Sequence, residues 1–157
     1  MKRAVFTAFG VVALLTLARA EVYACTCAVP DPGLPLKRQV RMALNESRAV
    51  FSGRVIEVKE DPQAASVVVR LRVERFWKGS PPGEVSVVTG LGGGDCGYRF
   101  EVGQSYLVYA HASGGGGLGT NICQRTARLS EASKDLRVLG RGRVAPRPGG
   151  GRGEGRL

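Results

Sequence analysis

The chain predicts a mostly β domain with minor α content: a five-stranded Greek-key barrel of the OB type, flanked by two helices and closed by two disulfides. Three observations carry this. Five short apolar segments are separated by Gly- and Pro-rich turns, two segments of helical spacing flank them, and four cysteines follow an export signal.

The signal comes first. Lys2 and Arg3 precede an uncharged run from Ala4 to Leu17. Its 14 residues fall short of the roughly 20 that span a bilayer, so residues 1–24 read as a cleaved signal peptide. The mature protein is expected to be secreted, extracellular or periplasmic, as in bacterial-type export, with no transmembrane segment. Cleavage after Ala20 leaves Glu21 first, and cleavage after Ala24 leaves Cys25 first. Bulky Tyr23, and the seven residues between the apolar run and Cys25, argue against lipoprotein processing at Cys25.

An oxidising compartment makes disulfides the default for Cys25, Cys27, Cys96 and Cys123. A Cys25–Cys27 bridge would close a very tight ring with poor geometry. Residues two apart in an extended segment face the same side, about 6.6 Å apart. Both can therefore reach separate partners, which leaves two pairings open. The C-x-C spacing lacks the paired C-x₂-C knuckles of a structural zinc site.

Pro30, Pro32, Gly33 and Pro35 make an irregular stretch. Leu36, Val40, Ala43 and Leu44 then recur at helical spacing and predict a helix from Leu36 to Arg48. Asn45-Glu46-Ser47 within it matches a glycosylation sequon. The first strand runs from Val50 to Lys59, interrupted at Ser52-Gly53 by a bulge or bend. Val67, Val69, Leu71 and Val73 alternate with Val68, Arg70, Arg72 and Glu74 to make a long second strand. Of Phe76 and Trp77, which alternate on opposite faces, at least one belongs to the core. After the turn Lys78–Gly83, further strands are expected at Glu84–Thr89, Tyr106–Ala110 and around Ile122. Ser130 is placed to cap a helix through Leu139, with Gly140 as its stop. Residues 140–157 are rich in Arg, Gly and Pro without apolar periodicity and read as a disordered tail. The body is therefore expected to span 25–139.

The formal net charge is +10. Residues 1–20 contribute +3 and residues 140–157 contribute +4, so the body between is only mildly basic. This argues against nucleic acid as a partner. No Ser/His/Asp set or paired carboxylates can be assembled, and His111 is the only histidine. The glycine runs at Gly92–Gly94 and Gly114–Gly117 lack the Lys-[Ser/Thr] of a phosphate loop. Neither an enzyme nor a cofactor is expected.

Cys25-Thr26-Cys27-Ala28-Val29-Pro30 resembles the mature N-terminus of the tissue inhibitors of metalloproteinases, Cys-[Ser/Thr]-Cys-x-Pro, with one residue more before the proline. The stretch Arg72–Gly79, then Val85–Thr89, then Cys96-Gly97-Tyr98, and lastly Cys123, resembles the same family and the wider netrin-like domains. The similarity runs over roughly residues 25–139. It implies bridges Cys25–Cys96 and Cys27–Cys123. It also implies a partner, a zinc metalloendopeptidase whose catalytic zinc is chelated in trans by the α-amine and carbonyl of Cys25. Thr26 would then enter the specificity pocket, Cys27 would anchor the segment, and Gly94 and Asp95 would form a second contact edge. Such chelation requires cleavage directly before Cys25. The alternative expectation is a non-inhibitory extracellular binding module of the same fold, attached through its tail to a polyanionic envelope or matrix polymer.

Overall fold

The computed structural model describes residues 25–28, 33–92 and 94–146. The expected signal peptide, and the tail from residue 147 onward, lie outside the described residues.

Helix α1 spans Leu36–Glu46. No side chain caps its start, but Gln39 Nε2 donates to the Leu34 carbonyl at 2.8 Å and ties the entering chain to the first turn. The helix ends at Ser47, whose N–H and hydroxyl donate to the Ala43 carbonyl at 3.0 and 2.7 Å. The strands are β1 (Ala49–Asp61), β2 (Ser66–Lys78), β3 (Glu84–Gly90), β4 (Ser105–Ala112), β5 (Leu118–Gly119), β6 (Ala127–Arg128) and β7 (Arg143–Val144). Helix α2 (Ser133–Leu139) lies between β6 and β7.

β1, β2, β3, β5 and β4 pair in that order, and β4 pairs back to β1, so five strands form a closed ring. The β3–β5 pair is parallel and the others are antiparallel. β1 bends through register shifts, one of them at Ser52/Gly53. There the backbones lie so close that a Cβ on Gly53 would sit 2.8 Å from the Arg72 carbonyl oxygen, so only glycine fits.

One apolar cluster fills the ring, with Phe51, Val55, Val69, Leu71, Val87, Tyr106 and Val108 buried. Each such side chain contributes about 1.5–3 kcal/mol by leaving water. A second cluster lies on the outer side of β1 and β4. There Val50, Leu107 and Tyr109 pack against Ala43 and Leu44 of α1 and Leu136 and Leu139 of α2. Ala49–Gly53 and Tyr106–Ala110 are consequently buried at every position, and their alternation disappears. Phe76 is buried, and Trp77 is half-buried with its indole N–H on the Gly140 carbonyl at 2.9 Å.

Three expectations need correction. The ring's fifth strand is Leu118–Gly119, whereas Ile122 is half exposed in a turn. Ser130 does not cap α2, because Leu129–Ala132 form turns and the helix starts at Ser133 without a side-chain cap. The body does not stop at Leu139 either. Arg143–Val144 pairs with Phe76 and Arg75 of β2, and Ala145 is buried, so order continues to Pro146. Gly140, at φ +75°, does end α2.

Candidate functional site

The segment Cys25–Ala28 has no strand or helix partner, and its placement comes from sulfur. Cys25 is bridged to Cys96 in the β3–β4 loop and Cys27 to Cys123 in the β5–β6 loop, with Cα–Cα distances of 5.2 and 5.1 Å. The bridges lie against each other: Cys123 Sγ is 3.8 Å from Cys96 Sγ and 4.0 Å from Cys25 Sγ. Cys25 and Cys27 are half-buried, while Thr26 and Ala28 point outward into solvent. The geometry is a short rim, pinned at two points, with one free side chain between the pins.

The two anchoring loops are themselves joined, the Ile122 N–H donating to the Cys96 carbonyl at 2.9 Å. Asn121 Oδ1 accepts the Cys123 N–H at 3.0 Å. Asp95 folds the other loop from within. Its carboxylate accepts the N–H of Leu91 at 2.7 Å, Gly92 at 2.9 Å and Gly97 at 3.0 Å. These donors, Gly97 foremost, hold the Asp95 carboxyl below the usual carboxylate range. The loop closes tightly enough that a Cβ on Gly97 would run into the Gly90 carbonyl. Gly94 and Asp95 are exposed and directly precede Cys96, the residue bridged to Cys25. Gly93 lies outside the described residues.

Behind Cys123 stands a polar platform for which the sequence holds no local signal. Asp135 of α2 is 7% exposed and accepts Arg125 Nε and Nη2 at 2.7 Å each, and the Tyr109 hydroxyl at 2.9 Å. Burial, then the Asp135 charge, pushes the Tyr109 phenol far above its ordinary range. Arg125 Nη1 also donates to Gln39 Oε1 of α1 at 3.3 Å. The Thr120 hydroxyl, joined to Thr126 at 2.7 Å and to Gln124 at 2.9 Å, continues the network. His111 Nδ1 lies 2.6 Å from Gln124 Nε2. Asp135, Arg125 and His111 are far apart in the chain or on different elements, so no spacing rule links them. Their joint effect is to weld residues 120–126 to both helices and make the anchor of Cys27 stiff.

A cavity of about 460 Å³ opens beside this platform, between Ala28, Leu34, Gln39 and Arg125. Among the described residues, the only grouped metal-type ligands are Cys25, Cys96 and Cys123. All three sulfurs are in bridges and offer no thiolate to an ion. The two bridges and the hydrogen bonds of their loops make the Cys25–Ala28 segment a stiff edge of the molecule. No known protein family matches the chain, and neither does any curated protein.

Proposed function

We propose that the protein is a secreted inhibitor of zinc endopeptidases, built on a five-stranded OB-type ring and similar in plan to the tissue inhibitors of metalloproteinases and netrin-like domains. The observation that supports the reading most is the double pinning of Cys25 and Cys27 around exposed Thr26. Released by cleavage directly before Cys25, the chain begins at its first bridge. Its α-amine, with a pKa of about 7.7–8.0, is available in neutral form near neutral pH. That amine and the Cys25 carbonyl take the open coordination position of the protease's zinc and displace its water. Thr26 fills the adjoining specificity pocket. Gly94 and Asp95, held beside the rim, supply a second edge of contact. Two bridges remove most of the freedom that docking would otherwise have to freeze, which favours tight binding from a small contact.

The experiment compares mature protein beginning at Cys25 with the same protein carrying one extra Ala before Cys25. The Cys25 form is expected to slow members of a panel of zinc endopeptidases, and the extended form to lose that effect. An extended form that inhibits equally well, or a Cys25 form that inhibits none of the panel, overturns the chelation reading.

A further inference from the structure

The segment Cys25–Ala28 depends on sulfur for its place, but the two loops that anchor it are shaped by other bonds. The Asp95 carboxylate accepts the Gly97 N–H at 3.0 Å, just beyond Cys96. The Ile122 N–H donates to the Cys96 carbonyl at 2.9 Å, and the Cys123 N–H to Asn121 Oδ1 at 3.0 Å. Gln124, the neighbour of Cys123, accepts the Thr120 hydroxyl at 2.9 Å. Cys96 is held at φ +61°, a left-handed conformation that a residue with a side chain adopts only when its surroundings impose it. Within this frame Cys123 Sγ lies 3.8 Å from Cys96 Sγ and 4.0 Å from Cys25 Sγ, and the three sulfurs fall within 4.8 Å of one another.

We infer that, in the reduced chain, the four cysteines form a zinc site that replaces both bridges with one ion. A dithiol reductant opens the bridges. For each one it closes into its own disulfide and hands over two electrons and two protons, leaving two thiols. Cys123 is exposed, and Cys25 and Cys96 are half-buried, so reductant and ion both have access. Zn²⁺ holds thiolates at about 2.3 Å in a tetrahedron, which sets neighbouring sulfurs about 3.8 Å apart. That spacing already separates Cys123 from Cys96, and nearly so Cys123 from Cys25. The bonded pairs must part to the same spacing, and Cys25–Ala28, with no strand or helix partner, can move that far. Cys27, bridged to Cys123, supplies the fourth sulfur. Four thiolates select a borderline or soft ion over Ca²⁺ and Mg²⁺, which take oxygen ligands. The ion expels the thiol protons as it binds and pins the rim to the same two loops. The inference does not rest on the protease reading. There the metal belongs to another protein and meets the Cys25 amine, whereas here it sits on sulfur within this chain.

The test reduces the full mature chain without oxygen, using a water-soluble phosphine that takes up oxygen from water as each bridge opens. The chain is then titrated with Zn²⁺, and with Cd²⁺ as a thiolate-seeking probe whose bonds to sulfur absorb in the ultraviolet. The Cd²⁺ band is expected to level off at one ion per chain, to fall as Zn²⁺ displaces the probe, and to be missing from the bridged form. Amide exchange should show residues 25–28 and 120–126 losing protection on reduction and regaining it with Zn²⁺. C123A is expected to weaken binding about a hundredfold, and one Ala added before Cys25 to leave it unchanged. Full affinity in C123A, or saturation at another ratio, overturns the sulfur set. Weaker binding by the Ala-extended chain would put the α-amine on the ion and overturns it equally. A reduced chain held unfolded in urea that binds as tightly would show that any four thiols suffice, and overturns the site. Should reduction alone unfold the chain, Zn²⁺ is expected to restore protection in β1 and β2, and failure to do so overturns the inference.

Discussion

Phe51 and Thr26 lie in parts of the molecule held by different forces. Phe51 sits inside the ring, fully buried, among side chains from neighbouring strands. Thr26 sits on a rim with no ladder hydrogen bonds, held by two bridges to loops that are shaped in turn by Asp95, Asn121 and the Arg125–Asp135 pair. The ring is a product of apolar burial, which is diffuse and shared. The rim is a product of a few directional bonds, each reaching across a long stretch of chain. The second kind of construction fixes the position of one short segment, because each directional bond sets a distance and an angle.

The largest expected effect breaks the ring. Phe51→Ala removes a fully buried ring and is expected to cost about 3–5 kcal/mol, read as a shift in the denaturant midpoint. The rim should fall with it, since its anchors hang on the same strands. A loss under 1 kcal/mol would mean the ring tolerates a void there and is less tightly packed than its burial indicates.

The next effect separates the two regions. Replacing Cys27 and Cys123 with Ala opens a bridge of sequence separation 96 and is expected to cost about 2–4 kcal/mol. Amide exchange followed by mass spectrometry should show residues 25–28 and 120–126 losing protection while β1 and β2 keep theirs. Loss of protection in β2 ahead of the rim would show that the regions are one cooperative unit.

The contrast also explains what could be read from the chain beforehand. Val67, Val69, Leu71 and Val73 announce β2 because alternation is the direct imprint of a half-buried strand. β1 and β4 were visible as strands but not as doubly covered ones, since Val50, Leu107 and Tyr109 face helices that lie apart in sequence. The fifth ring strand was misplaced at Ile122 because Leu118–Gly119 has two residues, too few to carry a period. β7 hid among Arg, Gly and Pro for the same reason: its pairing with Arg75 and Phe76 is decided by the partner, not by its own composition. The rim's cysteines were legible as residues with an oxidising chemistry. The polar platform beneath them was not, because Arg125, Asp135 and Tyr109 meet only after folding.

The smallest effect sharpens the rim alone. The folded-state carboxyl of Asp95 lies below its unfolded value of about 3.9, so its contribution to the loop is complete above that pH. It fades as pH falls through the lower folded value. Protection at Gly92 and Gly97, taken relative to the intrinsic exchange rate at each pH, is expected to fall on acidification below about pH 4 while that of β2 persists, and Asp95→Asn is expected to remove that pH dependence. Loosening that begins instead near neutral pH would assign the loop to another group.

The order of the bridges along the chain has a further consequence for survival among proteases. Cys25 pairs forward to Cys96 and Cys27 forward to Cys123, so the two spans overlap. A single peptide cut anywhere between Cys25 and Cys123 leaves both fragments covalently attached. Outside the span from Cys25 to Cys123 no bridge holds a fragment, and a nick near Gly140 would leave Arg141–Ala145 attached only by its pairing with β2 while sparing the sulfur-held rim. Clipping thus has a direction: it can strip away the last strand beside β2, but it cannot easily dismantle the edge that carries Thr26.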